Sequence, residues 1–145
     1  MTYPKGIFSN NPGNIRSTKT EWQGEVTDSQ EFEVFESPEY GLRALMKLLI
    51  SYNKKYGLDT VRSLINRWAP PSENDTGSYQ EHVAKVLCLG VDDVIKLNRS
   101  TLIKIAKAIV RHENGRPPKD TPFYWYDDAT YNKAADMALE GIQNA

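Results

Sequence analysis

Along most of this chain apolar residues recur every three or four positions, the spacing of helices that bury one face. Ser37 and Pro38 suit a cap and a first turn, Leu42, Leu45, Met46 and Leu49 form the buried stripe, and Gly57 stops the helix after Tyr56. Asp59 or Thr60 then caps a short helix through Val61, Leu64, Ile65 and Trp68, which Pro70-Pro71 ends. The segment APPSENDTG, residues 69–77, predicts a loop, and beyond it Tyr79, Val83, Val86 and Leu87 mark a helix that runs to Gly90. Ser100 caps the next, STLIKIAKAIVRHENG, whose inner face is Leu102, Ile105, Ala106 and Ile109 and whose stop is Asn114-Gly115. A last helix from about Asp128 turns Tyr131, Ala134, Ala135, Ala138, Leu139 and Ile142 inward.

Residues 1–36 lack that period. NNPGN, residues 10–14, is dense in turn formers and predicts a tight, non-helical loop. Phe32, Val34 and, shifted by one, Phe35 predict a short strand with Glu31 and Glu33 facing solvent. The pattern as a whole predicts one α+β domain over residues 1–145, mainly helical, with about six helices over 37–145 and a small antiparallel β region within 1–36.

One position breaks the helical stripe in a chemically telling way. Glu113 lies four residues after Ile109 and three after Val110, where the next core side chain belongs. Partial burial and the negative end of the helix dipole both disfavour an ionised carboxyl there, so both push its pKa upward, as a general acid near neutral pH requires. The plainer reading is a terminal Glu pointing outward from a frayed helix end. Its neighbour His112 projects about 100° away around the helix and does not pair with it directly.

Three other groups of residues have a structural and a chemical reading side by side. In NNPGNIR, Pro12 and Gly13 suffice for the turn, which leaves the asparagine amides, Asn14 among them, for a polar, hydroxyl-rich ligand. In RWAPPSENDTGSY, Trp68 can be core and Asp75 or Thr76 a helix cap, yet Glu73, Asn74, Asp75 and Tyr79 set polar groups beside an aromatic platform. That combination suits a sugar ring, with its apolar face and polar rim. Around Trp22, the acids Glu21, Glu25 and Asp28 are either solvated or include the second carboxylate of a glycosidase.

Composition narrows the partners. A net charge of −1 with acids and bases interspersed offers no basic face for duplex nucleic acid. Two His and one Cys, none at ligand spacing, predict no zinc site, and no cofactor motif is present. No apolar run approaches the roughly 18 residues of a membrane span, and the N-terminus lacks the layout of a signal peptide.

Four segments, NNPGNIR, WQG, FEVFESPEYGLRAL and NRWAPPSENDTGSYQEHVAKVLCLG, resemble small phage and prophage proteins of the virion structural or endolysin-like kind, over roughly residues 6–115. A more distant likeness is to the peptidoglycan β-N-acetylglucosaminidases of the lysozyme-like superfamily. In those, a helix ending in a catalytic Glu precedes an Asn-Gly turn, a Phe-containing strand, a helix of the SPEYGLRAL type and a Thr-Asp…Tyr segment. Here NNPGNIR, EFEVF and NDTGSY stand for the turn, the strand and that segment, and the helix ending in HENG follows them. The resemblance therefore implies a circularly permuted lysozyme-like domain that cuts a β-1,4 bond of peptidoglycan, with Glu113 as acid and Glu73 or Glu21, or the substrate's own N-acetyl group, stabilising the developing charge. Asn14, Arg16, Trp22, Trp68, Asp75, Thr76 and Tyr79 would line the cleft, with Arg16 serving a lactyl or stem-peptide carboxylate. Muramidase, glucosaminidase and lytic transglycosylase chemistry all fit these residues. The implied partner is bacterial peptidoglycan, with no nucleic acid, membrane insertion, metal or cofactor. The protein would be a monomer or a virion component, made in the cytoplasm and delivered to the wall by a virion or a phage-made membrane hole. A virion or wall-binding module without turnover, and a toxin-like effector with an immunity partner, are the competing classes.

Overall fold

The computed structural model describes residues 3–27, 31–72 and 74–142. Six helices and two short strands follow one another as α1 (Lys5–Phe8), β1 (Glu25–Thr27), β2 (Val34–Phe35), α2 (Pro38–Tyr56), α3 (Val61–Trp68), α4 (Thr76–Leu87), α5 (Arg99–Asn114) and α6 (Asp128–Leu139). The fold is thus α+β and mainly helical. Among the described residues no helix is long and apolar enough to cross a membrane.

α2 is the central element. Its stripe Leu42, Leu45, Met46 and Leu49 is fully buried, and it packs along α6 while also touching α3, α5 and β2. α6 meets it with Ala134, Ala135 and Ala138, small residues that let the two backbones approach, and with the large ring of Tyr131. Gly41 serves the same end on the other side of α2. A Cβ there would stand 1.9 Å from the carbonyl oxygen of Asn10, so only glycine lets the asparagine turn lie against the helix. Gly57, in the left-handed region at φ 66°, ends α2 as expected.

Side-chain caps set the starts of α3 to α6, whereas Ser37, at the N-cap of α2 as expected, makes no side-chain capping bond. Thr60 and Ser63 form a reciprocal capping box on α3, and Asp75 caps α4 by accepting from the Ser78 N–H. At α5 the cap is Asn98, whose Oδ1 accepts the Thr101 N–H at 2.9 Å, so the helix begins before the expected Ser100. α4 stops earlier than expected. Cys88 takes the left-handed conformation at φ 58°, and the Leu89 N–H turns back to the Ala84 carbonyl, which leaves Gly90 outside the helix.

Two expectations for the first 36 residues need correction. Lys5–Phe8 is a helical turn, where only turn and strand were expected. The strand also departs from the alternation: Glu31 is exposed and Phe35 buried as expected, but Glu33 is fully buried, while Phe32 and Val34 are only partly covered. The cause lies in pairing outside the two-residue strand. The Glu33 N–H donates to the Ile15 carbonyl, and the Glu33 carbonyl accepts from the Asn11 amide, which ties this residue to the asparagine turn. The pairing of β1 with β2 is antiparallel with an irregular register between Glu25 and Thr27, as a bulge produces.

Candidate active site

The asparagine turn is built from the inside out. Asn10 and Asn14 both adopt positive φ, 55° and 53°, which asparagine tolerates better than most residues. Buried Asn11 accepts the Ile15 N–H at 3.0 Å and donates to the carbonyls of Ile15 and Glu33, while Asn10 donates to the Phe35 carbonyl at 3.1 Å. Those two amides hold the turn together and are not offered to a ligand. Asn14 alone turns its amide outward, and it donates to Oε1 of Glu113 at 2.9 Å.

Glu113 is half-buried in the last turn of α5, and its second oxygen accepts the hydroxyl of Tyr79 on α4 at 2.8 Å. Burial, followed by the charge of Glu113, holds the Tyr79 phenol well above its ordinary pKa, so it remains a neutral donor. The next residue locks the helix end to the turn. Buried Asn114 donates to the Pro12 carbonyl at 2.7 Å and to Val110 at 2.9 Å. Gly6 of α1 lies flush on this junction, since a Cβ there would meet Asn11, Asn14 and Asn114 oxygens at 2.7 to 2.9 Å. Residues a hundred positions apart in sequence thereby form one rigid corner.

That corner is one wall of a cleft of about 700 Å³, in the ordinary range for ligand sites. Asn14, Arg16, Trp22, Trp68 and Glu113 all line it. Gly13 allows the Trp68 ring to close on the turn, for a Cβ there would lie 3.0 Å from the indole. Among the described residues of the lining, Glu113 is the one carboxylate. Tyr79, expected in the cleft, is instead buried behind Glu113 and outside the lining, and bears on the cleft only through that hydrogen bond.

Other expected residues have different work. Asp75 caps α4, and buried Thr76 donates to the Ala69 carbonyl at 2.7 Å to close the 69–76 loop; neither lines the cleft. Glu21 and Glu25 are also absent from its lining, and Glu73 and Asp28 lie outside the described residues. Sequence reasoning missed Tyr52, Tyr56 and Arg67, which also line the cleft. A signal existed: Leu45, Leu49, Tyr52 and Tyr56 continue one helical stripe in which tyrosine replaces leucine as the face leaves the core.

Behind Tyr79 stands a histidine pair. The His112 ring stacks on Tyr79 at 3.7 Å, and its Nδ1 lies 3.2 Å from Nδ1 of His82 on α4. Burial lowers both histidine pKa values. For His82 the neighbouring His112, Arg111 and Lys85 lower it further, whereas Asp75 opposes the shift at His112. With folded values below the unfolded value of about 6.5, the unfolded chain binds more protons in that window. Stability is therefore complete above about pH 6.5 and declines as the pH falls below it. The melting temperature is expected to drop between about pH 7 and pH 5, and less so in His82→Gln. An equally steep drop in that variant would remove the pair as the cause.

Fold and site together define a mainly helical α+β domain whose one described cleft carboxylate is held between an asparagine turn and a buried tyrosine. The chain belongs to the bacteriophage protein family that includes Protein P5 of Pseudoalteromonas phage PM2. It is 36% identical to that protein over 129 residues, which cover 86% of this chain and 76% of the phage protein. No protein-family model matches it.

Proposed function

We propose that the cleft binds the glycan strand of bacterial peptidoglycan and cuts a β-1,4 bond, with Glu113 moving the proton. The observation that carries this reading is the placement of Glu113: a half-buried carboxyl at the cleft wall, oriented by Asn14 and Tyr79 beside the Trp68 ring. The indoles of Trp22 and Trp68 suit the apolar faces of successive sugars, and Asn14, Ser51 and Asn74 suit their hydroxyls. In the protonated form that binds substrate, Glu113 gives its proton to the leaving glycosidic oxygen as that bond breaks. The acetamido oxygen of the substrate closes onto the anomeric carbon and takes up the positive charge, a route that needs no second protein carboxylate. Water then attacks the same carbon and displaces the acetamido oxygen, restoring the N-acetyl group, while Glu113 takes a proton from that water. The bond between Asn114 and Pro12 supports the permuted lysozyme-like reading, because it brings the tail of α5 to the turn that follows the catalytic helix in those enzymes. Membership of a bacteriophage protein family fits a role at the bacterial wall.

A second reading, a wall-binding virion component without turnover, is favoured by the lone described carboxylate. The experiment that separates them incubates the protein with purified cell walls. New reducing ends, or anhydro-sugar ends if the strand's own hydroxyl replaces water, are expected in the supernatant. Protein that pellets with walls and releases neither sinks the enzyme and leaves the binder.

A further inference from the structure

We infer that Arg67 forms a carboxylate subsite where the cleft adjoins a neighbouring hollow and makes it selective for an acidic glycan over a neutral one. This rests on the glycan reading above and adds the charge of the strand. Arg67 closes α3, where the negative helix end favours a cation. Its guanidinium lies 4.0 Å from the centre of the Tyr56 ring and 5.4 Å from that of Tyr52. Contact with two rings restrains the guanidinium, and its N–H groups make no hydrogen bond to a carboxylate among the described residues.

Two contrasts single this residue out. Arg16, the other cleft arginine, is 2.9 Å from Glu31, so its charge is already answered. Arg67 has no carboxylate within 4.0 Å among the described residues, although Arg62, on the same helix, is paired with Asp92 at 2.7 Å. Its position matters as well. A second hollow lined by Leu58, Ser63, Asn66 and Pro70 adjoins the cleft, and Tyr52 and Arg67 line both. The guanidinium thus belongs to the wall that the two hollows share. A planar, oriented fork there suits a carboxylate attached to the strand, bound through two parallel hydrogen bonds. Peptidoglycan offers two such groups: the lactyl carboxylate of its acidic sugar and the carboxylates of its stem peptide.

The test is binding followed by the fluorescence of the cleft tryptophans, in the full chain carrying Glu113→Gln so that turnover does not consume the ligand. Bare glycan strands with free lactyl carboxylates, and strands that keep their peptides, are each compared with the same material after its carboxylates are coupled to methylamine. Arg67→Gln is expected to weaken binding of the charged ligand about tenfold and of the neutral amide less than twofold, with Arg67→Lys between. The arm that shows this difference names the carboxylate. Equal losses on charged and neutral strands, or no loss on either, overturn the subsite while the glycan reading stands. Failure of the Arg67 protein to bind any strand removes the glycan reading and the subsite together.

Discussion

Glu113→Gln is expected to lower the release of sugar ends from purified cell walls by about 100-fold or more, the usual loss when a general acid is removed. Glutamine keeps the size of the side chain and one acceptor. Its carbonyl can still take the Tyr79 hydroxyl, and its amide then faces Asn14, whose own amide can turn to present its oxygen. The local packing therefore survives, and the melting temperature should move by no more than a few degrees. This separation of effects is what gives the variant its value. Activity within tenfold of the parent would take Glu113 out of the chemistry, and a large loss of stability would show that the corner had been broken instead.

Gly41→Ala carries the largest expected effect on folding. In an open helical position alanine stabilises by about 1 kcal/mol over glycine. At Gly41 the added carbon would stand 1.9 Å from the Asn10 carbonyl oxygen and 3.1 Å from the Pro12 ring. The obstacle is backbone, so either the turn or α2 must move, and overpacking of this kind costs about 3 kcal/mol, well above the helix gain. The net of about 2 kcal/mol lowers the melting temperature by roughly 6 to 8 °C for a domain of this size. Gly77 in the first turn of α4 is the control. A Cβ there meets only an Asp75 carboxylate oxygen at 3.9 Å, so Gly77→Ala should stabilise. Equal responses from the two variants would show that the turn does not press on α2. Because that turn also carries Asn14, Gly41→Ala should weaken the cleft in step with the fold.

The helices were legible because each depends on a short window. The stripe of α2, the stop at Gly57 and the prolines after Trp68 act over distances of one or two turns, so the spacing of apolar residues suffices to locate them. Caps were less secure, since Asn98 and Ser100 are both competent and the choice between them depends on where the chain enters α5. The strand failed for a related reason. Glu33 reads as solvent-facing by alternation, but its backbone bonds to Ile15 and Asn11 turn it inward. Period-two logic presumes a regular ladder, and the two-residue strand here has none.

The same division runs through the site. Glu113 announced itself by occupying a core position on its helix, a local anomaly visible in the sequence alone. Its partners did not. Asn14 and Tyr79 were candidates for a ligand, and it took the packing of α4, α5 and the turn to direct them at one carboxylate from 99 and 34 residues away. Asp75 and Thr76 looked equally suited to a sugar and became a cap and a loop clasp. Arg67 attracted no notice, because nothing in a sequence distinguishes a paired arginine from one stacked on tyrosines. By itself, then, the order of residues determined which segments coil and which acid is out of place, since both follow from neighbours three and four positions apart. Which polar groups face that acid was decided only when distant segments packed, because hydrogen-bond partners are chosen by proximity in space.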